Sequence, residues 1–410
     1  MNHQRAQMRD WKLIGQNLFL LGLIAISAGT ASAGFLWALD EVTRQRFSNP
    51  WWLWALPLLG WAMAWIYQKV GSRAKSGTEH LLAEVCEPEH GVPRRMAPMI
   101  LLGTLLTHLG GGSAGREGTA LQMGGGIAAW WLKAVPAAQA HSRMFWLAGM
   151  AAGFGGVFGT PVAAAIFSWE MVRRREISKW HMLPCLAAAV VAHLVCEAWG
   201  MAHVHYSIAE FSLSAGLIAI IILLAILCGL LSRAFVMSSR AVTSCFAAWI
   251  PRPEWRAFAG GLAVIALVAL FGTRDFLGLG ILAEHAGATT LPACFTSQEI
   301  PQTAWLMKWL FTVVTLSAGF KGGEVTPLFF MGAAFGNAVA LWLGAPISLC
   351  AAVGWVALFA AATRAPLAAA VMGMELFGLQ HAGIFLTACV LANLISGKAT
   401  IYQIPDGRPH

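Results

Sequence analysis

About thirteen apolar tracts follow one another along this chain, at approximately 13–39, 51–68, 97–109, 118–134, 143–171, 183–200, 211–234, 257–271, 304–318, 326–345, 347–362, 365–379 and 382–396. No intervening polar stretch is long enough for a soluble domain of useful size. Only 11% of residues are charged, against about 25% in a soluble domain, so lipid is the solvent for most of the surface. A straight span needs about 20 apolar residues. Several tracts are shorter, and glycines interrupt them. That pattern predicts broken helices ending at mid-membrane, where irregular backbone survives only if protein buries it or it lines a cavity. The expected fold is an all-α polytopic membrane protein with a single transmembrane transport domain over residues 1–410.

The net charge of +8 does not imply a nucleic-acid partner. The basic residues lie in short loops, as the positive-inside rule requires. Arg5, Arg9 and Lys12 place the N-terminus in the cytoplasm, and Arg173, Arg174 and Arg175 mark a second cytoplasmic loop. The start of the chain imitates a secretory signal ending at Ala31-Ser32-Ala33. The run from Leu13 to Leu39 is nevertheless long enough to span, so it is read as a retained helix. The eight cysteines form no CxxC pair and are read as small hydrophobes rather than a disulfide framework. His203 and His205 have no further ligands beside them in sequence. They are read as loop or membrane-edge residues, so no metal and no cofactor is expected.

The chain repeats itself. Pro161 and Pro366 head similar alanine-rich segments, and Glu170 and Glu375 follow each at the same spacing. Ser113-Ala-Gly115 matches Ser317-Ala-Gly319, and Met123-Gly124 matches Met331-Gly332. Two halves, roughly 13–200 and 211–396, follow. Repeated halves with interrupted helices at corresponding positions predict a transporter whose binding site lies at the repeat interface near mid-membrane.

Two stretches carry the chemistry. Gly110-Gly-Gly-Ser113-Ala-Gly115-Arg116-Glu117-Gly118-Thr119 runs from flexible backbone into a helix start, which is an anion-binding geometry. Glu117 falls in the first helical turn. A carboxylate there competes with an anion for the same N–H groups and can carry a proton when displaced. Charge–dipole attraction alone would also favour it there, but an intramembrane acid in so acid-poor a chain is read as functional. The counterpart is Ser317-Ala-Gly319-Phe320-Lys321-Gly322-Gly323-Glu324-Val325-Thr326-Pro327. Pro327 suits a first helical turn. Thr326 is an ordinary N-cap, a hydroxyl donor to an anion, or both, and Lys321 and Glu324 are candidates to pair. After the last tract comes Tyr402, which on these grounds alone could be an interfacial residue.

Together these elements resemble the CLC family of anion channels and proton-coupled anion antiporters over nearly the whole chain. The resemblance implies two inverted-topology repeats of short, broken, tilted helices and a homodimer with one pathway per subunit. It implies that Glu117 gates the pathway and exchanges protons, and that Gly115, Arg116, Gly118, Val325, Thr326 and Tyr402 surround the anion. Gly-Arg-Glu-Gly-Thr119, where chloride members carry proline after the motif, and Gly-Glu324-Val325-Thr326-Pro327 are similar to the bacterial fluoride/proton antiporter branch. Fluoride or chloride, protons and the lipid bilayer of a bacterial inner membrane are then the partners. Two departures stand out. Thr78, in Lys75-Ser76-Gly77-Thr78-Glu79, takes the selectivity position where fluoride members often carry methionine. The second proton-handling glutamate of many chloride antiporters falls on Met171, one place after Glu170, so Glu170 is read as either a proton carrier or a structural residue. Because the chain stops soon after Tyr402, no cytoplasmic regulatory domain is expected.

The rival reading within the family is a chloride or broadly selective antiporter or channel. A membrane enzyme would need a nucleophile with a base, or a metal cluster. The sequence has neither Gly-x-Ser-x-Gly nor His-Glu-x-x-His, and His108 has no evident catalytic partner.

Overall fold

The computed structural model describes residues 2–71, 74, 76–172, 178–203, 206–296 and 299–402, with side chains from residue 14 onward. Lys75, Arg173, Arg174, Arg175 and His205 lie outside the described residues, as do the side chains of Arg5, Arg9 and Lys12. The described residues form sixteen α-helices. They are α1 (Asn2–Ser48), α2 (Trp52–Val70), α3 (Gly77–Cys86), α4 (Met96–Leu109), α5 (Glu117–Ala134), α6 (Ser142–Phe158), α7 (Pro161–Glu170) and α8 (Met182–Ala198), then α9 (Ala215–Trp249), α10 (Pro253–Phe271), α11 (Ala293–Thr296), α12 (Ala304–Ser317), α13 (Val325–Leu343), α14 (Ile347–Thr363), α15 (Pro366–Phe377) and α16 (Ala382–Ser396).

Most apolar tracts become helices with limits within a few residues of those expected. Two differ. The tract 143–171 is two helices, because Gly159 takes a left-handed conformation (φ 72°) that ends α6, and Pro161 starts α7. The polar segment 77–86 has no apolar run to announce it, yet it is helical. The signal-like Ala31-Ser32-Ala33 lies inside α1, where the buried Ser32 hydroxyl donates to the Gly153 carbonyl at 3.4 Å.

Six helices are long and apolar enough to cross a membrane, while α4, α12, α14 and α15 are shorter. Burial sorts them. In α13, 89% of the most apolar window is enclosed by protein, against 22% in α10. Helices such as α10 and α16 therefore present apolar surface at the periphery, with Leu270 and Leu394 exposed, and α13 is the centre of the fold.

The repeat is visible in contacts. Gly124 of α5 lies against the Gly149 carbonyl of α6, where an added Cβ would stand 1.9 Å from that oxygen. The equivalent Gly332 of α13 meets the Gly354 carbonyl of α14, at 2.3 Å. Both pairs of helices thus approach backbone to backbone, as small residues permit in membranes. The acids of the two proline helices cap each other. Glu375 accepts from the Val162 and Ala163 N–H groups at 2.9 and 2.8 Å, and Glu170 accepts from those of Leu367 and Ala368 at 3.4 and 2.8 Å. An inverted pair of repeats makes each interaction occur twice.

These caps define the structural role of Glu170. Glu170→Gln puts an amide N–H₂ against one of two buried backbone donors, so it is expected to cost about 1–3 kcal/mol. The thermal midpoint in detergent should fall, and, if fluoride and protons are exchanged as the resemblance implies, simultaneous recordings of both should give an unchanged coupling ratio. A collapsed ratio with normal stability would restore Glu170 as a proton carrier.

Candidate functional site

The two glycine-rich stretches meet where the repeats touch. Gly115 and Gly323 exchange backbone hydrogen bonds across the junction, N–H to O, at 2.6 and 3.0 Å. This antiparallel bridge sets the start of α5 against the start of α13. It needs glycine: a Cβ on Gly115 would stand 2.4 Å from a Glu117 oxygen, and one on Gly323 only 1.7 Å from the other.

Glu117 is fully buried, and its carboxylate reaches across the bridge to the partner helix. One oxygen accepts from the Val325 N–H at 2.6 Å. The other accepts from the Thr326 N–H and the Thr326 hydroxyl, each at 3.1 Å. Glu117 therefore occupies the open donors of the α13 N-terminus rather than capping its own helix. Those donors and the helix dipole would otherwise receive an anion. Thr326 is consequently not an N-cap, since it lies within the helix and donates outward.

Beside this seat is a cavity of about 190 Å³ lined by Ser76, Thr78, Glu79, Gly118, Gln122, Gly322, Glu324 and Tyr402, among others. Tyr402 is buried edge-on to Phe167, and its hydroxyl has no hydrogen-bond partner among the described residues. A buried phenol left unpaired is costly, and its burial shows that Tyr402 is not an interfacial residue. The Thr78 hydroxyl accepts from Gln122 Nε2 at 3.0 Å and faces Gly118. The start of α3 thus brings Thr78 to the cavity.

The expected residues fall into three groups. Gly115, Val325 and Thr326 build the seat of Glu117. Thr78, Gly118 and Tyr402 line the cavity. Arg116 stands apart, its guanidinium over the Phe158 ring at 5.1 Å. Lys321, expected to pair with Glu324, places its ammonium 4.6 Å from the centre of the Tyr67 ring. His108 serves structure: its ring nitrogens sit 2.8 Å from the Thr104 carbonyl and 3.1 Å from that of Ala114, which fixes the loop entering α5. Gln122 and the cavity-facing Glu324 were not legible as lining residues, because only the junction of the repeats brings them beside Tyr402.

Comparison with known proteins agrees with this arrangement. Residues 59–397 match the family described as "Voltage gated chloride channel". A "Chloride/fluoride channel protein" of Pseudomonas syringae pv. tomato is 39% identical over 399 residues, which cover 95% of this chain and 86% of that protein. The crystal structure of a CLC-type fluoride/proton antiporter superposes with a TM-score of 0.88 at 33% identity, covering 94% of this chain and 96% of that one. A slow cyanobacterial Cl⁻/H⁺ antiporter shares the fold, with a TM-score of 0.79 at 22% identity, covering 92% and 93% of the two chains. The helices, the bridged glycine loops and these likenesses make this chain a multi-pass membrane protein of the voltage-gated chloride channel (CLC) family.

Proposed function

We propose that the chain is a fluoride/proton antiporter of a bacterial inner membrane, which exports fluoride and works as a homodimer with one pathway per subunit. The observation that carries this is the carboxylate of Glu117 seated on the Val325 N–H, the Thr326 N–H and the Thr326 hydroxyl. Protonation of Glu117 weakens its hold on these donors, because a neutral carboxyl is the poorer acceptor. An anion then takes the seat, and a proton leaves with the carboxyl. Competition for one set of donors couples the two ions in opposite directions. Fluoride is small and hard. Compact N–H and O–H donors from Thr326 and Tyr402 suit it, since they must replace tightly held water. The names of the relatives, a chloride/fluoride channel protein and a fluoride/proton antiporter, support the same reading.

The second reading is a chloride or broadly selective transporter, favoured by Thr78, whose hydroxyl stands at the cavity. Purified protein in liposomes separates the two. Fluoride efflux should far exceed chloride efflux, and a pH gradient should drive fluoride uphill. Equal rates for both anions would establish the second reading.

Tyr402→Phe removes the buried Tyr402 hydroxyl and leaves the ring in place. Losing a hydrogen bond to an ion costs about 1.5–3 kcal/mol, so a roughly tenfold or greater fall in fluoride flux is expected, read with a fluoride electrode. An unchanged flux would remove Tyr402 from the anion's path.

A further inference from the structure

The turn after α8 assembles a group of ligating side chains that the transport site does not use. In sequence α8 follows the basic run Arg173-Arg174-Arg175, which is cytoplasmic on positive-inside grounds, so its C-terminal end lies on the opposite face of the membrane. His193 and Glu197 are one turn apart on α8. Their nearest atoms, Nε2 and an Oε, are 3.7 Å apart. α8 then ends in a reversal. The Gly200 N–H donates to the Glu197 carbonyl at 2.8 Å and the Met201 N–H to that of Cys196 at 3.3 Å. Gly200 supplies the positive φ of 84° that this turn requires. The chain folds back and lays the His203 ring against that of His193, with centroids 5.1 Å apart. One ring nitrogen of each histidine and one oxygen of Glu197 lie within 4.8 Å of one another.

We infer that His193, Glu197 and His203 form an outward-facing binding site for a divalent transition-metal ion of the zinc class. Two bound donors on a tetrahedral ion with bonds of about 2.0–2.1 Å are about 3.4 Å apart, so the 3.7 Å separation needs only a small closure. His203 is already oriented. Its Nε2 lies 3.0 Å from the Gly156 carbonyl, which leaves Nδ1 as the ligand and provides the outer hydrogen bond that fixes a metal-binding imidazole. An ordinary i,i+4 pair between His193 and Glu197 does not account for the remaining atoms. The ligand atom of His203, Nδ1, is buried without a hydrogen-bond partner among the described residues, where native structures seldom leave polar atoms unpaired. Two imidazoles and one carboxylate select zinc over magnesium or calcium, which prefer all-oxygen shells. Glu197 is half exposed, so a fourth position remains open to water. A bound ion would tie α8, its following turn and, through Gly156, the end of α6 into one unit.

The test uses the full-length protein in detergent, freed of any histidine tag and titrated with zinc alone. Saturable binding of one zinc per chain is expected, with a rise in thermal midpoint of about 3 °C at saturating zinc. His203→Gln and Glu197→Gln should each weaken binding at least tenfold and abolish the rise, while retaining the zinc-free midpoint. X-ray absorption of the bound zinc should show nitrogen and oxygen ligands only. Binding that both variants retain at full strength, a sulfur ligand from neighbouring Cys196, or no saturable binding would each overturn the assignment. If a variant loses its zinc-free midpoint, the X-ray absorption of the unaltered protein decides by itself.

Discussion

Glu117→Gln is expected to abolish the uphill movement of fluoride driven by a pH gradient, reducing it at least a hundredfold, while the protein still folds. Glutamine has nearly the shape of glutamate, so packing at this fully buried position is preserved. Its amide, however, brings an N–H₂ group against donors: Val325 N–H on one side, or Thr326 N–H on the other. One charge-assisted hydrogen bond is lost, worth about 1.5–3 kcal/mol, and the group can no longer exchange a proton. The first effect weakens the gate, and the second removes the coupling. Proteoliposomes loaded with equal fluoride and placed in a pH gradient would read the result directly. Accumulation equal to that of the unaltered protein would show that Glu117 is not the proton-exchanging gate.

The second large effect is expected from Gly323→Ala. The added Cβ would stand 1.7 Å from a Glu117 oxygen, 2.3 Å from its carboxyl carbon and 2.8 Å from the Gly118 nitrogen. A flexible side chain can retreat from such an intrusion, but the Gly118 backbone cannot, because it belongs to the first turn of α5. The carboxylate is therefore expelled from its seat and the bridge is strained. Coupled fluoride flux should fall at least tenfold, and the thermal midpoint should drop. Gly383→Ala is the control. No atom lies within 4 Å of its added Cβ, and alanine favours the helix by up to about 1 kcal/mol. Equal behaviour of the two variants would show that close approach at Gly323 does not matter.

Much of this protein was legible from residue order because the bilayer restricts what a chain can do. Apolar tracts must become helices, and most tract limits fall within a few residues of the helices they predict. The duplication was legible because both halves carry the same landmarks, Pro161 with Glu170 and Pro366 with Glu375. The Glu117 motif stood out because an acid beside glycines, in so acid-poor a chain, has few structural uses.

Other features depend on the partner half. Residue order suggested that Glu170 might carry protons or be structural. Its carboxylate caps α15 while Glu375 caps α7, a reciprocity between residues some two hundred positions apart. Thr326 looked like an N-cap until α13 began one residue before it. His203 looked like a solitary loop histidine until Gly200 turned the chain back onto His193.

The sequence by itself determined a polytopic helical fold and its internal duplication, and it singled out the acid at position 117, because hydropathy, repetition and helix-start chemistry are local properties. Only the tertiary structure decided that Glu117 sits on the donors of α13, that Tyr402 offers an unpaired hydroxyl beside it, and that His193, Glu197 and His203 converge. Each of these is a meeting of segments distant in the chain. Such meetings are fixed by packing across the repeat interface or by a turn, and no local pattern records which surfaces will face each other.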